Sequence, residues 1–382
     1  MKINKWTLGL AAAGVVSIGA VAQAEEAKES VKTAIASTTL SGYVSSSVWY
    51  NPGSAAARNA AIPFSAGKAN NLNLDVVDLK LEKALSEKEW SAGYLAELWF
   101  GPDANALGTA SRGLQDSDLS IKQAYVNLRL PVGNGIETKL GVFDTPIGYE
   151  TPNSGSNPNY TRSWGWSLEP TQHTGILASY RFCDWMSATA GIANSRSAVI
   201  NGRGAPAAAD SQKTFIGAVT LTAPKSAGFL SGGSLTAGVV DGRNGASPDL
   251  TSIYVGASIP TPVTGLSVGL SYDLAHQKGK NNDTWAGAAY LSYQATKKLT
   301  LSLREDYIDS STGGVAVGLL GARGVGRAGS EFLSSTLTAD YALWANVISR
   351  LEYRWDHDIG GSPKTLGARN ASLLALNVIY KF

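Results

Sequence analysis

The chain has 382 residues, with 32 Lys and Arg against 30 Asp and Glu. That near-neutral balance excludes the strongly basic footprint of a nucleic-acid binder, and a single cysteine, Cys183, excludes an internal disulfide. After the N-terminal region no stretch approaches the ~18–20 continuous apolar residues of a membrane helix, so hydropathy alone would describe a soluble secreted chain.

The N-terminus, "MKINKWTLGLAAAGVVSIGAVAQAEE", sets Lys2 and Lys5 before an apolar run of small residues and then Ala22-Gln23-Ala24. This is the layout of an export signal, so residues 1–24 are expected to be removed and 25–37 to form a short periplasmic segment. No cysteine lies directly after the cleavage site, which argues against a lipid anchor. Residues 1–24 hold two lysines and no acid, so the remaining chain carries 30 basic and 30 acidic residues.

From residue 38 to 382 the dominant signal is period two, the signature of a strand with two different faces. In "TLTADYALWANVISRLEYRW", 336–355, Leu337, Ala339 and Tyr341 share one parity; after a short break Leu351, Tyr353 and Trp355 oppose Arg350, Glu352 and Arg354. The spacing predicts sixteen strands, near 38–50, 72–84, 90–100, 120–130, 135–144, 172–182, 186–195, 213–223, 233–241, 250–259, 266–275, 284–294, 298–308, 332–342, 346–357 and 371–382. Short and long connections alternate between them. Strands of about ten residues match a tilted bilayer crossing, and alternating loop lengths match a transmembrane antiparallel up-and-down β-barrel with short periplasmic turns and long extracellular loops.

A soluble β-sandwich is the competing fold, but it requires no such alternation of loops. Aromatic residues at strand ends, among them Trp90, Tyr272, Trp285, Tyr293, Tyr307, Tyr341, Trp355 and Tyr380, fit interfacial girdles. Hydrocarbon offers no partner to an unpaired backbone group, so the first strand must meet the last. Glu305 breaks the pattern by sharing the outward parity of Leu299, Leu301 and Leu303, and is expected near the loop-side rim.

The opposite parity lines a lumen, and sixteen strands enclose more space than side chains fill. Its basic members include Lys80, Arg129, Lys139, Arg304, Arg350 and Arg354. For any one of them, a wall-to-wall ion pair that holds the barrel's shape competes with a role in selectivity. The third long loop, near 145–170, carries Tyr149, Tyr160, Trp164 and Trp166; a long loop with apolar surface is expected to fold against something, and the barrel interior is nearest.

The stretches "LGVFDTPIGYE", "NPNYTRSWGW" and "EPTQHTGILASYRF" resemble the central signature of bacterial outer-membrane porins of the OmpL-like, β-barrel porin-2 family. The motif-level likeness spans about 137–182, while the layout extends over the mature chain. The resemblance implies a water-filled channel for passive diffusion of small hydrophilic solutes and ions in the outer membrane of a Gram-negative-type bacterium. It implies a constriction built from the third long loop, for which Asp144, Glu150, Arg162 and Glu169 are the candidate residues facing the basic wall. Outer-membrane lipid, lipopolysaccharide and the assembly machinery are the implied partners, and a homotrimer follows by analogy with general porins. The terminal "NVIYKF", with Tyr380 and Phe382, looks like the signal read during barrel assembly.

Other signals point elsewhere more weakly. "GVGRAG", 324–329, matches a dinucleotide pattern but lies in a loop between strands, without the helix that mechanism needs. "DHD", Asp356–Asp358, has donor types for a divalent cation, with solvated charge at a loop base as the alternative. His173 has Ser and Thr neighbours without a spacing that fixes a catalytic triad. No enzyme, metal or cofactor is therefore expected; a barrel-borne hydrolase and a surface adhesin on a barrel scaffold are the alternatives.

Overall fold

The computed structural model describes residues 31–32, 38–52, 64, 66–87, 90–107, 118–196, 198–202, 212–243, 249–278, 282–310, 331–360 and 369–382. The expected signal segment and the GVGRAG stretch lie outside these residues. β1 (Val31–Lys32) is a two-residue addition paired with the start of β2 (Thr39–Tyr50). The chain continues through β3 (Leu72–Lys83), β4 (Ser91–Phe100), β5 (Leu119–Leu130), β6 (Ile136–Asp144), β7 (Gln172–Cys183), β8 (Met186–Ala193) and β9 (Thr214–Thr222). The second half is β10 (Ser234–Arg243), β11 (Asp249–Pro260), β12 (Leu266–Gln277), β13 (Asn282–Gln294), β14 (Leu299–Asp309), β15 (Glu331–Trp344), β16 (Val347–Asp358) and β17 (Asn370–Lys381).

Each strand from β2 to β17 pairs antiparallel with its sequence neighbours, and β17 returns to β2, with Leu374 opposite Tyr50 and Lys381 opposite Tyr43. The result is a closed antiparallel barrel of sixteen strands. Closure satisfies the backbone of every strand within the wall, the condition that lipid imposes. Phe382 completes the seam: its N–H donates to Gly42 O, and the Gly42 N–H donates to Phe382 O, each at 3.0 Å.

Alternation divides the wall as its sequence requires. Leu301 and Leu376 are 39% and 46% exposed on the outer face, whereas their neighbours Ser302 and Asn377 are 4% and 0% exposed. Exposed aromatic residues collect at both ends of the strands: Trp90, Trp185, Tyr293, Trp344 and Tyr380 toward the short turns, and Tyr50, Phe100 and Phe215 toward the long loops. These are the two girdles of a membrane barrel. Glu305 also faces outward, and accepts a hydrogen bond from Ser335 Oγ at 2.6 Å on β15.

The alternation of loop lengths is less regular than the spacing predicts. β10, β12 and β13 extend about two residues past their expected ends, which shortens the connections at 244–248 and 278–281. The 223–233 turn carries a 3-10 segment, Lys225–Leu230.

Candidate functional site

The connection between β6 and β7 closes on itself at its neck, where the Thr145 N–H donates to Thr171 O at 3.0 Å. Inside the loop Asn157 acts as an organiser: its carbonyl accepts from the Thr151 N–H at 2.7 Å, and its amide donates to Thr151 O and Asn153 O. Asn suits this task because one planar group both donates and accepts. Arg162 fastens the other side, donating to Thr151 O, Pro152 O and Tyr160 O. Burial holds this guanidinium below its ordinary pKa, and the three carbonyls satisfy it in place of a carboxylate.

The lobe so formed is docked on the lumen face of β14–β17. Glu352 accepts from Tyr160 N at 2.5 Å, Thr161 N at 2.9 Å and Thr161 Oγ1 at 2.6 Å. Arg304 donates to Glu150 Oε1 at 2.8 Å and to Thr161 O at 2.7 Å, while its Nε reaches Asp306. Arg350 is held by Asp340 and donates to Ser154 O and Asn157 O. Arg354 is held by Asp356 and donates to Arg162 O at 2.5 Å. Lys381, beside the seam, donates to Gly155 O. Breaking one buried pair of this kind costs ~3–5 kcal/mol, because the remaining charge stays uncompensated.

Aromatic packing fills the remaining gaps. Trp164 stacks on Phe332 with ring centroids 5.0 Å apart, and its indole N–H donates to Ser334 Oγ at 2.6 Å. The wall beneath supplies the small residues Ala275, Ala286 and Ala371, which make room for Trp164 and Leu168. Tyr160 stacks on Phe64 from the first long loop at 4.9 Å, with Trp49 edge-on at 6.0 Å. Lys68 enters this aromatic corner, with Nζ 4.3 Å from the Phe64 centroid, and pairs with Asp75 and with Asp103 of the second long loop. Three loops are thereby joined at one point inside the barrel.

Two β-bulges deliver residues to this interior. The β2–β3 register shifts at Ser45/Ser46, so Asp75 turns inward beside Val76 and accepts from Ser45, Ser47 and Lys68. The β4–β5 register shifts at Glu97/Leu98, and Lys122 turns inward to pair with Asp144. An extra residue re-aims a side chain at a bulge. The sequence reading missed Asp75; the signal that could have found it is the slip of apolar parity between Leu74 and Leu79.

The expected site residues therefore fall into two groups. Glu150, Arg162, Arg304, Arg350 and Arg354 lie in the docked interface; Arg350 and Arg354 meet the loop through its carbonyl oxygens and not its acids. Lys80 pairs with Glu82 on β3, and Arg129 of β5 pairs with Glu137 of β6. Lys139 stands over the Tyr125 ring at 4.9 Å and, among the described residues, has no carboxylate at ion-pair distance. Glu169 hydrogen-bonds to Asp273 on β12. Burial, with Asp273 adding to it, raises Glu169 well above the usual carboxylate range. Gly148 is favoured here by its φ of +118°, a backbone conformation that L side chains rarely adopt, and its bare α-carbon also lets Glu169 Oε2 approach.

Strand alternation separates the members of the DHD stretch. Asp356 and Asp358 are buried inside, whereas the His357 ring lies toward the outside and meets Asn370 Oδ1 at 2.7 Å. Asp356 is thus a buried partner of Arg354 and not solvated charge at a loop base. No group of three or more His, Cys, Asp or Glu side chains converges as a metal site among the described residues.

A closed sixteen-strand barrel with an apolar perimeter and a polar lumen partly occupied by a loop defines an outer-membrane channel. The family described as "Putative beta-barrel porin-2, OmpL-like" matches residues 37–382, and the chain belongs to it. It is an outer-membrane porin of a Gram-negative bacterium, a passive-diffusion channel. Among solved structures it is similar in fold to the outer membrane channel DcaP of Acinetobacter baumannii, at TM-score 0.58 and 13% identity, covering 90% of this chain and 97% of that one. It is likewise similar to an anion-selective porin from Comamonas acidovorans, at TM-score 0.61 and 15% identity, covering 91% and 99%. OmpT of Vibrio cholerae in its trimer form matches at TM-score 0.59 and 10% identity, covering 90% and 99%. No curated protein sequence matches the chain.

Proposed function

We propose that the loop at 145–171 is the constriction of this porin, and that solutes pass between the lobe and the wall of β3–β7. The carrying observation is an asymmetry of cover. Under the lobe the Arg304 and Arg354 side chains are 0% exposed, whereas Lys80 and Glu82 on β3 and Glu137 on β6 keep 32%, 39% and 30%. Mixed-sign, hydrated walls suit small hydrophilic solutes and ions. Opposed charges across a narrow, low-dielectric-walled passage orient dipoles and set ion preference. Lys139 contributes to that passage a cation that has no ion-pair partner among the described residues, so the preference it gives is weakly anionic.

Deleting about residues 152–166 is expected to raise single-channel conductance in a planar bilayer. Lys139→Gln is expected to move the reversal potential toward cations while leaving conductance nearly unchanged. A deletion variant that folds and conducts like its parent removes the lobe from the solute path. The same reading includes a homotrimer embedded in lipid and lipopolysaccharide. Light scattering of the detergent-purified protein tests the oligomeric state.

A further inference from the structure

The last strand departs from the rule of one apolar and one polar face. Leu374, Leu376, Val378 and Tyr380 of β17 face outward and are exposed, yet the opposite parity carries Leu373, Ala375 and Ile379, all buried. An apolar inner face is unfavourable against a hydrated lumen, so it needs a cover. The cover is the 145–171 lobe: its Tyr160 and Trp166 pack in one cluster with these three residues and with Tyr43 and Trp49 of β2. Because β17 pairs with β2 at the closure of the barrel, the lobe lies across the joint where the two ends of the chain meet.

Polar contacts cross the same line. On one side the Tyr160 N–H donates to Glu352 of β16 at 2.5 Å, and Lys381 of β17 donates to Gly155 O at 3.0 Å. On the other side the Tyr160 hydroxyl donates to Asp75 Oδ1 of β3 at 3.1 Å and lies 3.2 Å from Ser47 Oγ of β2. One residue thus holds β16 through its backbone and β2 and β3 through its side chain. Beneath it Asn377 of β17 donates to Ser45 Oγ of β2 at 2.8 Å and to Asp75 Oδ2 at 3.2 Å, so the network is continuous across the seam. Tyr160, Asp75, Ser45 and Asn377 are each 0% exposed, which shields these bonds from competition by water.

Every other pair of neighbouring strands from β2 to β17 is joined by the connecting chain, whereas β17 and β2 are held by non-covalent contacts alone. Opening there would expose two rows of unpaired backbone groups to lipid. We propose that the 145–171 lobe is an internal staple of this seam, with Tyr160 as the point where it crosses. Release of the lobe and opening of the wall are then coupled events. The proposal rests on these contacts and not on the path that solutes take.

Hydrogen–deuterium exchange of the refolded barrel reads the seam through the amides of β2 and β17, with β8 and β9, which Tyr160 does not touch, as the reference pair. Tyr160→Ala is expected to speed exchange at the seam tenfold or more and to leave the reference pair nearly unchanged. If Tyr160→Ala forms no closed barrel, Tyr160→Phe keeps the ring on Phe64, loses the bond to Asp75 and is expected to speed seam exchange about tenfold, the scale of one lost hydrogen bond to a charged group. Val48 and Leu376 face each other across the seam. In a Cys183→Ser background, Val48→Cys with Leu376→Cys forms a disulfide that takes over the staple's task, and it is expected to return the Tyr160 variant to the parent's exchange rate. Parent-like seam exchange in the Tyr160 variant overturns the proposal, as does a rise of equal size in β8 and β9 or fast exchange that persists once the disulfide has formed.

Discussion

Glu305 is a carboxylate on the lipid face of β14, with Leu301 and Leu303 below it and Tyr307 above. Among the described residues its hydrogen bond comes from Ser335 Oγ, which compensates an ionised group only partly. Outward charge costs most at the midplane and little near the interface, and acids cost less than bases. Glu305→Leu is therefore expected to stabilise the barrel by roughly 1 kcal/mol, measured by urea unfolding from lipid vesicles. A loss of stability instead means that the carboxylate has a partner outside this chain. Its outward orientation was legible from the parity of Leu299, Leu301 and Leu303. The identity of its partner was not, because Ser335 is 30 residues away and only register brings the two together.

The docked loop carries a titration with a definite sign. Glu169 is raised by burial and by Asp273, so the folded protein holds its proton more tightly than the unfolded chain does. Stability from this group is complete below the unfolded value of 4.5 and is lost as pH rises through the higher folded value. Glu169→Gln keeps a donor for Asp273 and removes the titration of Glu169 itself. The difference in unfolding midpoint between variant and parent is therefore expected to grow in the variant's favour as pH rises above about 4.5. A difference that stays flat with pH would mean that Glu169 is solvated in the folded barrel. Element positions were largely readable from sequence, because two immiscible surroundings enforce period two over each strand. Asp75 and Lys122 were not found: each sits at a bulge, where one inserted residue shifts the phase on which the reading depends. Parity also places Glu352 in the lumen without saying that Tyr160 and Thr161, about 190 residues earlier, will cap it.

At the scale of the whole molecule the demanding contact is the seam. Every other pairing joins strands adjacent in sequence, but β17 meets β2 across more than 300 residues, through the eight pairs from Leu374–Tyr50 to Lys381–Tyr43. Closing so long a loop costs entropy before the contact repays it, so the seam is expected to form late and to limit the rate of assembly. Phe382 adds two main-chain hydrogen bonds to Gly42 at the end of that seam, each contributing ~1 kcal/mol net. The adjacent Lys381 couples the seam to Gly155 of the lobe. Deleting Phe382 is expected to lower the yield and rate of heat-modifiable barrel on refolding into vesicles, while Phe382→Leu retains both backbone bonds and separates their role from that of the ring. If the deletion alone is impaired, closure of the wall explains the terminal residue; if Phe382→Leu is equally impaired, the aromatic side chain does. Parent-like assembly by both variants would remove Phe382 from the pathway altogether.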